Sequence, residues 1–441
     1  MPGEESTDYQ EAKMDWPQQN ADRLSLPAML GVQVMNSFSD NLVKMLLIVF
    51  SSAVAAKTFL GDTMQACVGV IYALPYIFLA PVAGWVSDRF SKQQVMAWMQ
   101  AALFCIFLFF AFALWLRLPQ VTLALCLVGT LLMATVACFF TPAKLGILKE
   151  VVGPKRLGLI SGLQQFGMFG ATMFAFYVAG EWFGSKLKEG ADPWHTGIMI
   201  VSGAAALAAL QFVVAQFVRR TPDHPHMVWE RALMRQHFAN VRLVFRAPAI
   251  GVAAIGVVFF WFMSNSVLAV LVAWCNEHYP EMAEATRVKS WLAMMLGIGV
   301  MSGIMLAMVL NRRHIEVRAV PPAALLMGLA LFSTSWIPAH DASINVAVIL
   351  VGLGAGVFMV PLYAFIQDRS QEHERARVLS GLGLIDCLGS AVANLLVLGL
   401  LTIHVPSIPL LVGMAVLCFL TAVGMMKLVR MAHATEQPEG Q

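Results

Sequence analysis

Apolar runs of roughly 20 residues recur along this chain from Leu26 to Val429, each closed by a short polar break. A bilayer core holds no water to satisfy backbone N–H and C=O groups, so a run of that length crosses it as an α-helix. Twelve such runs are read, near 26–56, 64–87, 95–116, 121–143, 159–183, 196–218, 248–275, 289–310, 319–337, 343–366, 378–402 and 407–430. The first is long enough to be tilted or broken. Only 12% of the 441 residues are charged, against about 25% in soluble domains, and the mean hydropathy is +0.72. The fold class that follows is an all-α membrane protein.

The two halves of the chain repeat each other. Residues 139–170 read FFTPAKLGILKEVVGPKRLGLISGLQQFGMFG, and residues 358–389 read FMVPLYAFIQDRSQEHERARVLSGLGLIDCLG. At a constant offset of 219, Pro142 matches Pro361, Ile147 matches Ile366, Arg156 matches Arg375, Ser161-Gly162-Leu163 matches Ser380-Gly381-Leu382, and Gly170 matches Gly389. Two parallel membrane halves are the sequence sign of a transporter whose substrate path runs between them. The expected organisation is a polar tail (1–25), a six-helix bundle (26–218), a linker (219–247), a second pseudo-symmetric six-helix bundle (248–430) and a short tail (431–441). Both tails are expected to be disordered, and the first lacks the apolar core of a cleavable signal peptide.

Charge sidedness sets the expected orientation. With the N-terminus cytoplasmic, the loops on that side and both tails hold 22 of the 29 Lys and Arg. The opposite loops hold only Lys57, Arg117, Lys186, Lys188, Arg287 and Lys289, while Lys44 lies inside a helix. Both termini are therefore expected inside. The basic residues are scattered among loops, with no nucleic-acid module. In the linker, Pro222 and Pro225 end the sixth run. Beyond them Val228, Leu233, Phe238, Val241 and Val244 recur at helical spacing against Arg231, Arg235, Arg242 and Arg246. That pattern predicts a basic amphipathic helix on the inner-leaflet surface. His224 and His226 are expected to be solvent-exposed, and the seven cysteines, singly placed without metal-like spacing, to be buried small hydrophobes.

The loop after the second run reads Gly84-Trp85-Val86-Ser87-Asp88-Arg89-Phe90-Ser91-Lys92. Gly84 is expected to admit a neighbouring backbone. Asp88 can accept from Arg89 or from donors at a helix end, and Arg89 and Lys92 reach the headgroup layer. Such a charged latch can be made and broken as two halves rock. The G-x3-D-R-x2-K pattern resembles the loop 2–3 signature of the major facilitator superfamily, with Ala307-x3-Asn311-Arg312 as a degraded counterpart. The resemblance implies the major facilitator fold and a monomer.

Ionisable residues inside lipid cost on the order of 3 kcal/mol each by insertion scales, so their presence calls for a reason. Helix one carries Asn36, Ser39, Asp40, Asn41 and Lys44. Asp40 and Lys44 stand one turn apart and can neutralise each other, or Asp40 and Asn41 can face a central cavity and hold a polar head group or coupling ion. Lys144 follows Pro142, so its partner is either a phosphate or freed carbonyl, or it snorkels to the headgroups. Tyr363 takes its place in the second repeat. Gln164, Gln165, Asn265, Asp386 and Asn394 are further polar groups at depth, Asp386 being the second candidate buried charge.

Three patches, FSDN at 38–41, TPAKLGIL at 141–148 with SGL at 161–163, and VPLYAFIQDR at 360–369, resemble the bacterial lysophospholipid transporter family. Members move lysophospholipids, notably lysophosphatidylethanolamine, across the inner membrane for re-acylation. The resemblance implies a multi-pass protein of the bacterial inner membrane, a separate acyltransferase partner, and contact of Asp40, Asn41 and Lys144 with the glycerophosphoethanolamine head. Two departures stand out: Gln165 occupies a helix-five position that is usually acidic, and Leu268 falls where helix seven is often basic.

Two other functions fit less of the chain. One is a proton-coupled exporter or permease for a small amphipathic solute such as a drug or siderophore, coupled through Asp40 or Asp386. The other is a membrane enzyme, against which stand the lack of a His-x4-Asp pair, of Gly-x-Ser-x-Gly, of a nucleotide loop and of any large extramembrane domain. No cofactor or metal is expected.

Overall fold

A computed structural model describes residues 16–55, 59–152, 157–221, 223–224, 226–230, 232–311, 315–371 and 374–436. Among these residues all regular structure is helical. In chain order the helices are α1 (Trp16–Val54), α2 (Phe59–Phe78), α3 (Ala80–Arg89), α4 (Lys92–Trp115), α5 (Pro119–Val152), α6 (Leu157–Lys188) and α7 (Pro193–Ala215). They continue with α8 (Ala232–Val244), α9 (Pro248–His278), α10 (Met282–Leu310), α11 (Val320–Thr334), α12 (Ser343–Arg369), α13 (Arg375–Thr402) and α14 (Ser407–Glu436). Ten of these are long and apolar enough to cross a membrane, and α2 with α3 adds a broken eleventh. The remaining long helix, α6, dilutes its apolar residues with Gln164, Gln165 and Glu181. Lys57, Arg156, Pro222, Pro225, Arg231 and Arg312, singled out above, lie outside the described residues.

The break falls in the second run and not in the first. α1 is one continuous helix with Pro27 inside it, and it starts at Trp16, ahead of the residue-26 boundary read from hydropathy. α2 and α3 instead meet at a 57° bend. Pro81 near the start of α3 has no N–H to donate back across the joint at Leu79, and Pro75 loosens the turn before it. Both repeat prolines, Pro142 and Pro361, lie inside helices, α5 and α12.

Two large apolar cores form, one within each half. Leu46, Phe50, Phe107, Phe110 and Phe183 anchor the first, and Trp274, Phe260, Phe358 and Leu362 anchor the second. A smaller core of Met29, Val95, Ile147 and Val218 sits at the end of the first half that faces the linker. That end is tied together by polar bonds. The Arg219 N–H donates to Ser25 Oγ at 3.0 Å, the Lys92 N–H to Thr221 Oγ1 at 2.8 Å, and the His224 N–H to the Arg89 carbonyl at 3.0 Å. In the second half α10 and α12 touch backbone to backbone. A Cβ at Gly299, Gly303, Gly352 or Gly356 would overlap a carbonyl oxygen of the facing helix. Each pair is spaced Gly-x3-Gly, which brings two helix axes close in lipid. Four cysteines are buried, but Cys105 is exposed on the face of α4 that also exposes Leu108 and Phe112. A thiol is apolar enough to face lipid as well as core, so composition alone misplaces it.

α8 is helical as its periodicity predicts, yet its buried face mixes polar residues with part of the apolar stripe. His237, Asn240 and Val244 are buried, while Phe238 is exposed. The helix packs on α13, where Arg377 Nε donates to Asn240 Oδ1 at 3.2 Å and Gly381 lies against the Asn240 carbonyl. His237 reaches the Ile77 carbonyl at the end of α2. So α8 clasps both halves instead of lying free on the leaflet. Burial lowers the His237 pKa from its ordinary 6.5, with the Ile77 carbonyl acting the other way. A depressed histidine pKa supports the docked state above the free value and withdraws that support below it. Proteolysis of the linker is therefore expected to quicken as pH falls through about 6.5, with His237→Gln flattening the dependence. A pH-independent rate in the native chain would contradict this.

Candidate functional site: a cavity between the two halves

A cavity of about 870 Å³ lies between the halves. α1 contributes Asn41 and Lys44, and α6 contributes Gln165, Phe169, Met173 and Phe176. α9 contributes Phe260, Trp261, Ser264, Asn265 and Leu268; α10 contributes Leu296 and Val300; α12 contributes Val351, Met359, Tyr363 and Gln367. The walls are mainly aromatic and aliphatic, with a few amides, hydroxyls and one ammonium converging from α1, α6, α9 and α12. The lining reaches Gln165 near the start of α6 and Gln367 near the end of α12, so the cavity extends toward the linker end.

The other end is closed by contacts between α6 and α10. Arg287 forks onto Glu181, Nε to Oε2 at 3.0 Å and Nη2 to Oε1 at 2.9 Å, and Gly180 and Gly184 let Ser290 and Arg287 press against α6. Lys289 donates to Ser52 Oγ on α1 at 3.1 Å. Both cations read as loop charges in the sequence. Their placement within the first turns of α10 carries them into the seam between the halves.

On α1 the polar residues divide by face. Asn36 accepts from Gln100 of α4 at 3.1 Å, and Ser39 accepts from Gln211 of α7 at 3.2 Å. They fasten helices and do not reach the cavity. Asp40 is 7% exposed and does not line the cavity either. Its Oδ2 accepts from Lys44 Nζ at 2.7 Å and from Tyr72 Oη at 2.9 Å, and Lys44 lies 3.6 Å from the Tyr72 ring centroid. Lys44 is the member of this ion pair that faces the cavity. Asn41 lines it as well, steadied by the Ser37 carbonyl at 2.7 Å and Thr172 Oγ1 at 3.1 Å.

Gln165 and Leu268 both line the cavity, Gln165 with its side chain exposed. Lys144 does not; it is half-buried with its ammonium 5.9 Å from the Phe140 ring centroid. Asp386 stands behind the wall. Its Oδ2 accepts from Tyr363 Oη at 2.9 Å, and Trp261 Nε1 donates to Tyr363 Oη at 3.1 Å, so two lining aromatics shield the carboxyl. Asp386 Oδ1 is buried with no hydrogen-bond partner among the described residues. Trp261, Ser264 and Gln367 are the lining polar groups that sequence reasoning missed. A tryptophan in an apolar run reads as packing unless its N–H is followed to a partner.

The latch residues gather at the linker end, away from this cavity. Gly84 and Asp88 line a separate cavity of about 700 Å³ between α3, the linker and α8. A Cβ at Gly84 would meet nothing within 4 Å, so no backbone crowds it here, contrary to expectation. Arg89 Nη1 donates to the Met227 carbonyl at 3.2 Å, with its guanidinium 5.1 Å from the Trp85 ring centroid. The stem of Lys92 lies against Gly146, joining the latch to the TPAKLGIL segment.

Comparisons with known proteins bear on this arrangement. The Lysophospholipid transporter LplT of Cronobacter sakazakii is 26% identical over 389 residues, 86% of this chain and 88% of that one. The protein of the same name from Escherichia coli is 26% identical over 408 residues, 89% of this chain and 92% of that one. Among solved structures the nucleoside transporter NupG superposes with a TM-score of 0.69 at 12% identity, covering 91% of this chain and 99% of that one. A peptide transporter POT in complex with sulfate gives 0.67 at 12% identity, covering 92% and 94%. At that identity these two speak for the fold alone. The family model of the Major Facilitator Superfamily matches residues 29–394, and the chain, a multi-pass membrane protein, belongs to that superfamily.

Proposed function

We propose that this protein carries lysophospholipids across the bacterial inner membrane by alternating access. The observation that carries the reading is the cavity between the halves, where an ammonium and several amides share one chamber with broad aromatic and aliphatic walls. A lysophospholipid has that composition, a charged head on one acyl chain. The relatives named as lysophospholipid transporters support the same reading. On this reading α6 and the α2–α3 pair complete twelve crossings, and both termini are cytoplasmic. The monomer opens toward the cytoplasm, and residues 26–218 rock against 248–430, parting the Glu181–Arg287 seam as the linker end closes. Asn41, Lys44 and Gln165 meet the head group, Asp40 orients Lys44, and Lys144 and Asp386 are outer groups of the site. Asp88, Arg89 and Lys92 form the latch that reforms when the linker end closes. A separate acyltransferase would consume the delivered lipid. The test is accumulation of labelled lysophospholipids, with ethanolamine and with glycerol heads, in spheroplasts with and without the protein. Protein-dependent accumulation is expected, and its absence from spheroplasts holding the inserted protein would overturn the reading.

One observation favours a second reading, a proton-coupled exporter of a small amphipathic solute. The unpartnered Oδ1 of Asp386 suits a carboxyl that gains and loses a proton beside the path. That reading requires transport to depend on a pH gradient and to lose the dependence in Asp386→Asn.

A further inference from the structure

We infer that the cavity selects an anionic head group bearing a phosphate and hydroxyls, such as lysophosphatidylglycerol, over a zwitterionic head bearing an ammonium. The inference rests on the lysolipid reading above and adds the head-group class. Among the described residues Lys44 is the one charged side chain in the lining, and no carboxylate joins it. Asp40 is turned into α2, where Lys44 and Tyr72 share its Oδ2. Asp386 is screened behind Tyr363. An ammonium entering this chamber would leave water without meeting a counter-charge, and would stand beside Lys44 as a like charge.

A phosphate meets the opposite situation. The Lys44 ammonium has three N–H donors, and Asp40 takes one of them. The side of the ammonium turned away from Asp40 and the Tyr72 ring is left for phosphate oxygens at the cavity wall. The amides of Gln165, Asn265 and Gln367 offer donors and acceptors that suit hydroxyl groups and add no charge. Ring faces such as Trp261 attract a cation more weakly than a carboxylate does, and Trp261 already spends its N–H on Tyr363.

The experiment uses the full chain in liposomes, with lysophosphatidylglycerol and lysophosphatidylethanolamine of one acyl chain competing at equal concentration. The glycerol lipid is expected to move roughly tenfold faster, a difference of about 1.4 kcal/mol. Gln165→Glu places a carboxylate in the lining and is expected to narrow or reverse that ratio, while Gln165→Ala leaves its direction unchanged. Asp40→Asn/Lys44→Gln, which removes both charges together, is expected to slow the glycerol lipid more than the ethanolamine lipid. Equal or faster movement of lysophosphatidylethanolamine by the native chain overturns the head-group inference and leaves the lysolipid reading standing. Movement of neither lipid overturns both.

Discussion

Gly303→Leu is expected to cut the yield of folded, monodisperse protein at least tenfold, although leucine is the better helix former. Relief of the glycine penalty favours the substitution by about 1 kcal/mol. Against it stands a collision with backbone. The new Cβ would overlap the Leu353 carbonyl oxygen and come within 3.0 Å of the Gly356 Cα. Backbone cannot rotate away as a side chain can, so α10 and α12 must part. Overpacking of this kind costs about 1–3 kcal/mol and more when the obstacle is rigid, which outweighs the propensity gain. Val300 of α10 and Val351 of α12 also line the central cavity, so the parted helices would deform the site. Gly413→Ala is the control, because a Cβ there meets nothing within 4 Å, and it is expected to be neutral or slightly stabilising. Thermal unfolding of detergent-purified protein checks both. A Gly303→Leu protein as stable as the native one would refute the close contact of these helices.

Asp40→Ala is expected to lower lysolipid transport more than tenfold and to destabilise the protein by about 3 kcal/mol, the lower end of the range for removing one member of a buried ion pair. The side chains of Lys44 and Asp40 are 18% and 10% exposed, so solvent does little to replace the lost partner. Lys44 would lie over the Tyr72 ring with no anion to hold it, and Tyr72 Oη would lose its acceptor. The charge-free pair Asp40→Asn/Lys44→Gln separates folding from function: it is expected to recover much of the stability while transport stays low. Transport at the native level in Asp40→Ala would remove the ion pair from the account.

Much of this architecture can be read from the chain because lipid enforces it. Long apolar runs must become helices, and the repeat places Pro142 and Pro361 in corresponding ones. The bend between α2 and α3 escaped because a hydropathy average over 64–87 is blind to where two prolines flank one leucine. The α10–α12 contact left a signal in its Gly-x3-Gly spacings, but those glycines look like ordinary small residues until the two helices are paired. The candidate site was legible by residue type more than by facing. Asn41 and Gln165 line the cavity, whereas Asp40 and Lys144 stand off it. A polar residue in lipid can serve a neighbouring helix as readily as a substrate, as Asn36 with Gln100 and Ser39 with Gln211 do. In the second half Trp261 and Tyr363 join Ser264, Asn265 and Gln367 in the polar lining, and aromatic residues in apolar runs give little notice of that. α8 misled for a related reason: Phe238 of its apolar stripe is exposed, while Val241 and Val244 dock together with a histidine and an asparagine.

The most direct measurement places purified protein in liposomes, adds labelled lysophospholipids to one leaflet, and follows their arrival in the other beside protein-free vesicles. Transfer that depends on the native protein and collapses in Asp40→Ala is expected. Transfer no faster than in protein-free vesicles, from protein shown to be folded and inserted, would contradict it.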